Sequence, residues 1–124
     1  MRNAIFLVLV FISACQRQES SLQRYTDIPK YDNIVKISKD EDNILNFSTS
    51  DSYLIVREFY DNELKKSGWI FRNETNKGLE YGRLDSVIDN VSYGRNIYIN
   101  IQSCNSNQTC ISISLQSYSG IEFR

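Results

Sequence analysis

The chain has 124 residues, 41% apolar and 23% charged, with 14 Lys and Arg against 15 Asp and Glu for a formal net charge of −1. That is the length of one domain with a globular balance, and so even a charge offers no electrostatic footprint for nucleic acid. Histidine is absent, which removes Ser-His and Cys-His nucleophile pairs and the usual zinc ligand.

The chain opens Met1-Arg2-Asn3, runs apolar from Ala4 to Ile12, and continues Ser13-Ala14-Cys15. Arg2 and the α-amino group form a positive n-region, and the apolar run is an h-region well short of the ~20 residues of a membrane span. Residues 1–14 therefore read as a signal peptide. Ile12 is too bulky for the −3 position of an ordinary secretory cleavage site, where small residues are required. The run Ile12-Ser13-Ala14-Cys15 instead resembles the lipobox of bacterial lipoproteins. The resemblance implies a diacylglycerol thioether on Cys15, cleavage before it, and a fatty acyl group such as palmitate on the new N-terminus. With Gln16 rather than Asp after the cysteine, it further implies a lipid anchor in the outer membrane, facing the periplasm, or on the outer face of a single membrane in a cell that has no outer one. One acyl chain binds membranes only marginally, at ~0.8 kcal/mol per buried CH₂, but the family's three chains hold permanently.

Residues 15–33 are polar, contain the only proline (Pro29) and show no helix or strand period. They read as the lipidated N-terminus and a flexible linker, spanning roughly 25 Å on average and about 60 Å at full stretch. Its last part, Ile28 to Tyr31, is the part able to dock. A single α+β domain is expected over 34–124. Val35 and Ile37, then Leu45 and Phe47, alternate with polar residues. This predicts a β-hairpin with Val35 opposite Phe47 and Ile37 opposite Leu45. Its turn, Lys39 to Asn43, holds Asp40-Glu41-Asp42, which lacks the glycine and distal glutamate of an EF-hand loop and reads as solvated.

Ser48-Thr49-Ser50-Asp51 offers N-cap candidates, and Tyr53, Val56, Phe59, Tyr60 and Leu64 recur at helical spacing. One amphipathic helix is predicted over about 51–67, with Lys65 and Lys66 at its cationic end and Gly68 beyond it. The rest predicts an antiparallel β-meander, with the helix packed on one sheet face. Residues 85–94 fit a strand or a loop. Ile97, Ile99 and Ile101 alternate with polar residues, as do Ile111, Ile113 and Leu115.

Cys104 and Cys110 lie between these two strands. In an oxidising compartment they are expected to form a disulfide, with Cys104 opposite Cys110, Ile101 opposite Ile113 and Ile99 opposite Leu115. The same register puts Tyr98 opposite Gln116 and one diagonal step from Tyr118. Tyr98, Asn100, Gln102, Ser112, Ser114, Gln116 and Tyr118 then share the face away from the helix, and Tyr98, Tyr118, Gln102 and Gln116 form a candidate binding face there, because tyrosines among amides and hydroxyls suit protein recognition.

The stretch from Phe59 to Trp69 resembles a Phe-Tyr-x3-Leu-x3-Gly-Trp pattern of small exported bacterial proteins, many of them uncharacterised. Every position in it has a packing role, so it supports the fold and transfers no catalytic residue. Ser and Asp occur in no nucleophile motif, and two thiols without histidine fill half of a tetrahedral metal shell. No catalytic residue, metal ligand or cofactor is assigned. The expected function is a non-enzymatic binding or scaffolding module of the cell envelope, held to the membrane by its lipid and partnered by an envelope protein. The alternative is a periplasmic inhibitor, such as an immunity lipoprotein that neutralises a secreted toxin.

Overall fold

Period-two alternation of Ile, Leu and Tyr with Asn, Ser and Gln sorts side chains onto the two faces of a pleated sheet. In the computed structural model, which describes residues 22–76, 78–105 and 107–121, this alternation builds one sheet and not two elements side by side. The elements are β1 (Lys36–Glu41), β2 (Ile44–Thr49), α1 (Tyr53–Lys66), β3 (Ile70–Glu74), β4 (Gly78–Ile88), β5 (Val91–Asn105) and β6 (Gln108–Ile121). The strands pair antiparallel in the order β1-β2-β6-β5-β4-β3. The expected signal peptide and Cys15 lie outside the described residues. Among those described, no helix is long and apolar enough to cross a membrane.

The predicted arrangement of hairpin, helix and separate meander is thereby corrected. The chain is broadly α+β, but it is mostly a six-stranded antiparallel sheet with one helix. The hairpin β1–β2 is part of that sheet, because β2 pairs along its whole length with β6, from Ile44↔Ser114 to Thr49↔Thr109. The physical reason is edge satisfaction: β6 at the end of a meander would expose a long row of unpaired amides, which β2 covers.

The hairpin register also differs. Ile37 lies opposite Phe47, an irregularity falls between Ile37 and Lys39, and Asp40 lies opposite Leu45. Strand pairing thus runs through much of the expected turn. Val35 and Ile37 are exposed, and β1 is an exposed edge.

One sheet face carries Leu45, Phe47, Leu79, Tyr81, Ile97, Ile99, Ile101, Ile111, Ile113 and Leu115, all buried. The helix covers it with Val56, Tyr60 and Leu64. It starts two residues later than predicted, at Tyr53, capped by Ser52, whose hydroxyl accepts from the Ile55 amide at 3.4 Å. It ends in a Schellman arrangement: Gly68 at φ +87° donates to the Lys65 carbonyl at 3.2 Å, and the Trp69 amide donates to Leu64 at 3.0 Å. Only glycine takes that φ without strain.

The helix does not cover the face alone. Leu22, Ile28 and Tyr31 are buried in the same core, so residues 22–33, expected as linker, form a strap across the sheet beside α1. The strap is fastened at both ends. Gln23 donates to Asp40 at 2.9 Å and Arg24 pairs with Asp42 at 3.1 Å, so the acidic turn receives the strap's first residues. At the other end the Tyr31 hydroxyl donates to the Asp51 carboxylate, which also accepts from Asn33. Burial and that bond push the Tyr31 pKa up, so the hydroxyl stays a donor.

Between the two ends sits an ionic node. Asp27 accepts from Arg83 at 2.8 Å and is paired with Arg95, and Arg95 in turn holds Asp85 at 2.8 Å. The Arg95 guanidinium lies 5.2 Å from the centre of the Trp69 ring and 5.8 Å from that of Tyr25, within cation–π reach. The Trp69 indole N–H donates to the Asp27 carbonyl at 2.8 Å. Hydrogen bonding to Arg95 holds the Asp85 carboxyl below its usual range despite partial burial, and the two carboxylates raise the pKa of Arg95.

Candidate binding face

With helix and strap on one face, the other face of the sheet is open. Asn46 on β2, Ser112 and Ser114 on β6, Tyr98, Asn100 and Gln102 on β5, and Glu80 on β4 are partly or fully exposed. Their placement follows from pairing: Asn46↔Ser112↔Asn100 and Ser114↔Tyr98↔Glu80 are rows across the sheet, one residue out of step with the buried isoleucines. The Ser112 hydroxyl donates to Asn46 Oδ1 at 2.7 Å, which orients that amide.

The open face is not flat. A hollow of about 600 Å³ lies over β1, β2, β6 and β5, lined by Lys36, Ser38, Asn46, Asn100, Gln102 and the disulfide among others. A second, of about 370 Å³, is framed by Asn73, Glu80, Tyr98, Asn100 and Ser114. Side chains that both donate and accept hydrogen bonds dominate both hollows. Lys36 and Glu80 supply one charge of each sign.

Cys104 and Cys110 lie at disulfide distance, with Cα atoms 5.5 Å apart, on the rim of the larger hollow. The register around them differs from the expected one by two residues: Ile101 faces Ile111, Ile99 faces Ile113, and Cys110 faces Gln102. An irregularity between Ser103 and Asn105 brings Cys104 within reach of Cys110. A two-residue slip keeps every isoleucine on the covered face, so the apolar pattern alone does not fix the register.

The same slip separates the two tyrosines. Tyr98 pairs with Ser114 and Tyr118 with Gly94, about 14 Å apart along β6 at ~3.4 Å per residue. The Tyr118 ring lies over Gly94, in the space that a Cβ there would occupy. Tyr118 thus packs onto the sheet, while Tyr98 and Gln102 line the two hollows and Gln116 is exposed outside both. Asn100 and Ser112 lie on this face, as the alternation of β5 and β6 predicts. Asn46 joins them as the polar member of the alternation on β2, which is readable only once β2 is known to pair with β6.

Among the described residues, no group of three or more Cys, Asp and Glu is arranged to hold a metal ion. The chain matches no family model, no curated protein and no solved structure.

Proposed function

We propose that this protein is a bacterial lipoprotein whose domain, tethered through acylated Cys15 to the periplasmic face of the outer membrane, binds an envelope protein without catalysis. The observation that carries the binding reading is the open sheet face. Helix and strap bury one face, whereas the other keeps amides, hydroxyls and Tyr98 around two hollows. An aromatic with a polar tip among groups that both donate and accept suits a protein surface rich in backbone amides.

The test has two arms. Cys15→Ser abolishes labelling by a fatty-acid analogue and releases the protein from membranes; continued labelling sinks the anchor. In capture from solubilised envelopes, the Tyr98→Ala, Gln102→Ala double variant loses about tenfold or more of the wild-type partner yield, the effect of removing one anchoring side chain. Unchanged capture shows that the face is only solvated.

A further inference from the structure

The sheet runs past its covering. Beyond the Arg83↔Arg95 pair, β4, β5 and the end of β6 continue as a three-stranded arm, closed by a two-residue turn between Ile88 and Val91. Asp89 and Asn90 sit in the left-handed region at φ 53° and 66°, the conformation of a type I′ turn. The arm carries apolar side chains with no core to join: Leu84, Val87, Ile88 and Tyr93 are 53, 45, 57 and 42% exposed. Both of its faces are apolar. Leu84 and Val87 share the open side with Gly94 and Ser92, while Ile88 and Tyr93 share the side of Arg95.

We propose that this arm rests on the lipid surface to which Cys15 anchors the chain, as a second, shallow membrane contact. The proposal rests on the lipid-anchor reading above. Its argument is where the tether enters. Arg24, Tyr25 and Asp27, near the start of the strap, surround one hollow with Arg83, Arg95 and Ser117 at the root of the arm. Leu22 is the seventh residue after Cys15, at most ~25 Å of chain away. The tip lies four residues beyond the root, or ~14 Å. A chain anchored at Cys15 therefore keeps the apolar tip within constant reach of the bilayer, where contact is an intramolecular event at high effective concentration.

The chemistry fits a shallow seat. From Arg83 to Arg95 the charges are Arg83, Asp85, Asp89 and Arg95, so the arm is neutral overall and the contact is apolar rather than electrostatic. Asp89 and Asn90 stay among the headgroups at the tip. Tyr93 has the amphipathic ring that settles at membrane interfaces.

Mature lipidated protein, carrying Ile88→Trp or Val87→Trp, is reconstituted into phosphatidylcholine vesicles with and without brominated acyl chains. Each arm tryptophan loses about half of its emission to brominated lipid, as a side chain at the acyl boundary does. Wild-type Trp69, 2% exposed, and a Leu54→Trp control, at the opposite end of the sheet near the start of α1, are not quenched. If the mature protein does not sediment with vesicles, anchor and arm contact fall together. If it sediments but both arm tryptophans stay unquenched, the anchor stands and the arm contact alone is overturned. Cross-linking of Ile88→Cys between two copies, without quenching, overturns it in favour of self-association.

Discussion

Replacing Leu22 by Ala removes most of a side chain that is 0% exposed, at the first described position of the chain. Three carbons leave the core, a transfer loss of roughly 2.4 kcal/mol at ~0.8 kcal/mol each. An incompletely closed cavity adds to this, and buried Leu→Ala changes cost about 2–5 kcal/mol. Near the entry of the strap the neighbours can close in, so the expected loss is about 3 kcal/mol. For a domain of this size each kcal/mol lowers Tm by ~4–8 °C, giving a fall of roughly 12–24 °C. Urea unfolding followed by Trp69 fluorescence measures it. Trp69 is the only tryptophan, and its indole N–H reports directly on the strap through the Asp27 carbonyl. The denaturant slope should be unchanged, because the cooperative unit is the same. A loss under about 0.5 kcal/mol, the level of a surface substitution, would show that residues 22–33 are a linker after all.

Two further outcomes follow from the covalent and ionic ties. The folded, unreduced protein should gain no thiol-reagent mass at Cys104 or Cys110, and reduction should lower its stability by about 2 kcal/mol, as expected when a separation of 6 residues is closed; two freely alkylated cysteines would refute the bond. Hydrogen bonding to Arg95 holds the Asp85 carboxyl below the usual aspartate range, so its pairing stabilises the fold above that range and loses its effect as pH falls through the lowered pKa. The stability gap between wild type and Asp85→Asn should therefore hold from pH 7 to about 5 and shrink below about 4; a gap that widens on acidification would refute the role of Arg95.

What was legible in the sequence was whatever a local rule governs. The helix followed from the stripe Tyr53, Val56, Phe59, Tyr60 and Leu64, of which Tyr53 is exposed and Phe59 half-buried, and from Gly68, and the faces of β5 and β6 followed from alternating isoleucines. What was not legible needed partners far along the chain. Nothing in Leu45-Asn46-Phe47 says that its neighbour is Ile111-Ser112-Ile113, and without that pairing Asn46 cannot be placed beside Ser112 on the open face. The register differs from the expected one because a bulge at Cys104 brings it within reach of Cys110 two residues out of step. In the strap, the docking of Ile28 to Tyr31 agrees with the sequence reading, whereas Leu22 gives no signal, because these residues follow no period and each fills a separate gap. The arm had a local signal, Asp89-Asn90 between Ile88 and Val91, that residues able to adopt positive φ write into a sequence.

The strap and the arm have one geometric cause. The 14 residues of α1 span ~21 Å at 1.5 Å per residue, whereas the 15 residues of β5 span ~50 Å. One helix therefore cannot roof a sheet built on strands of that length. The strap roofs part of the remainder, turning at Asp27, where the Arg83–Asp27–Arg95–Asp85 node satisfies its charges. Past that node no segment of the described chain is left to cover Ile88, Val91 or Tyr93. Shortening the arm would remove the exposure at little cost to the core, since Leu84, Val87 and Ile88 bury little in it.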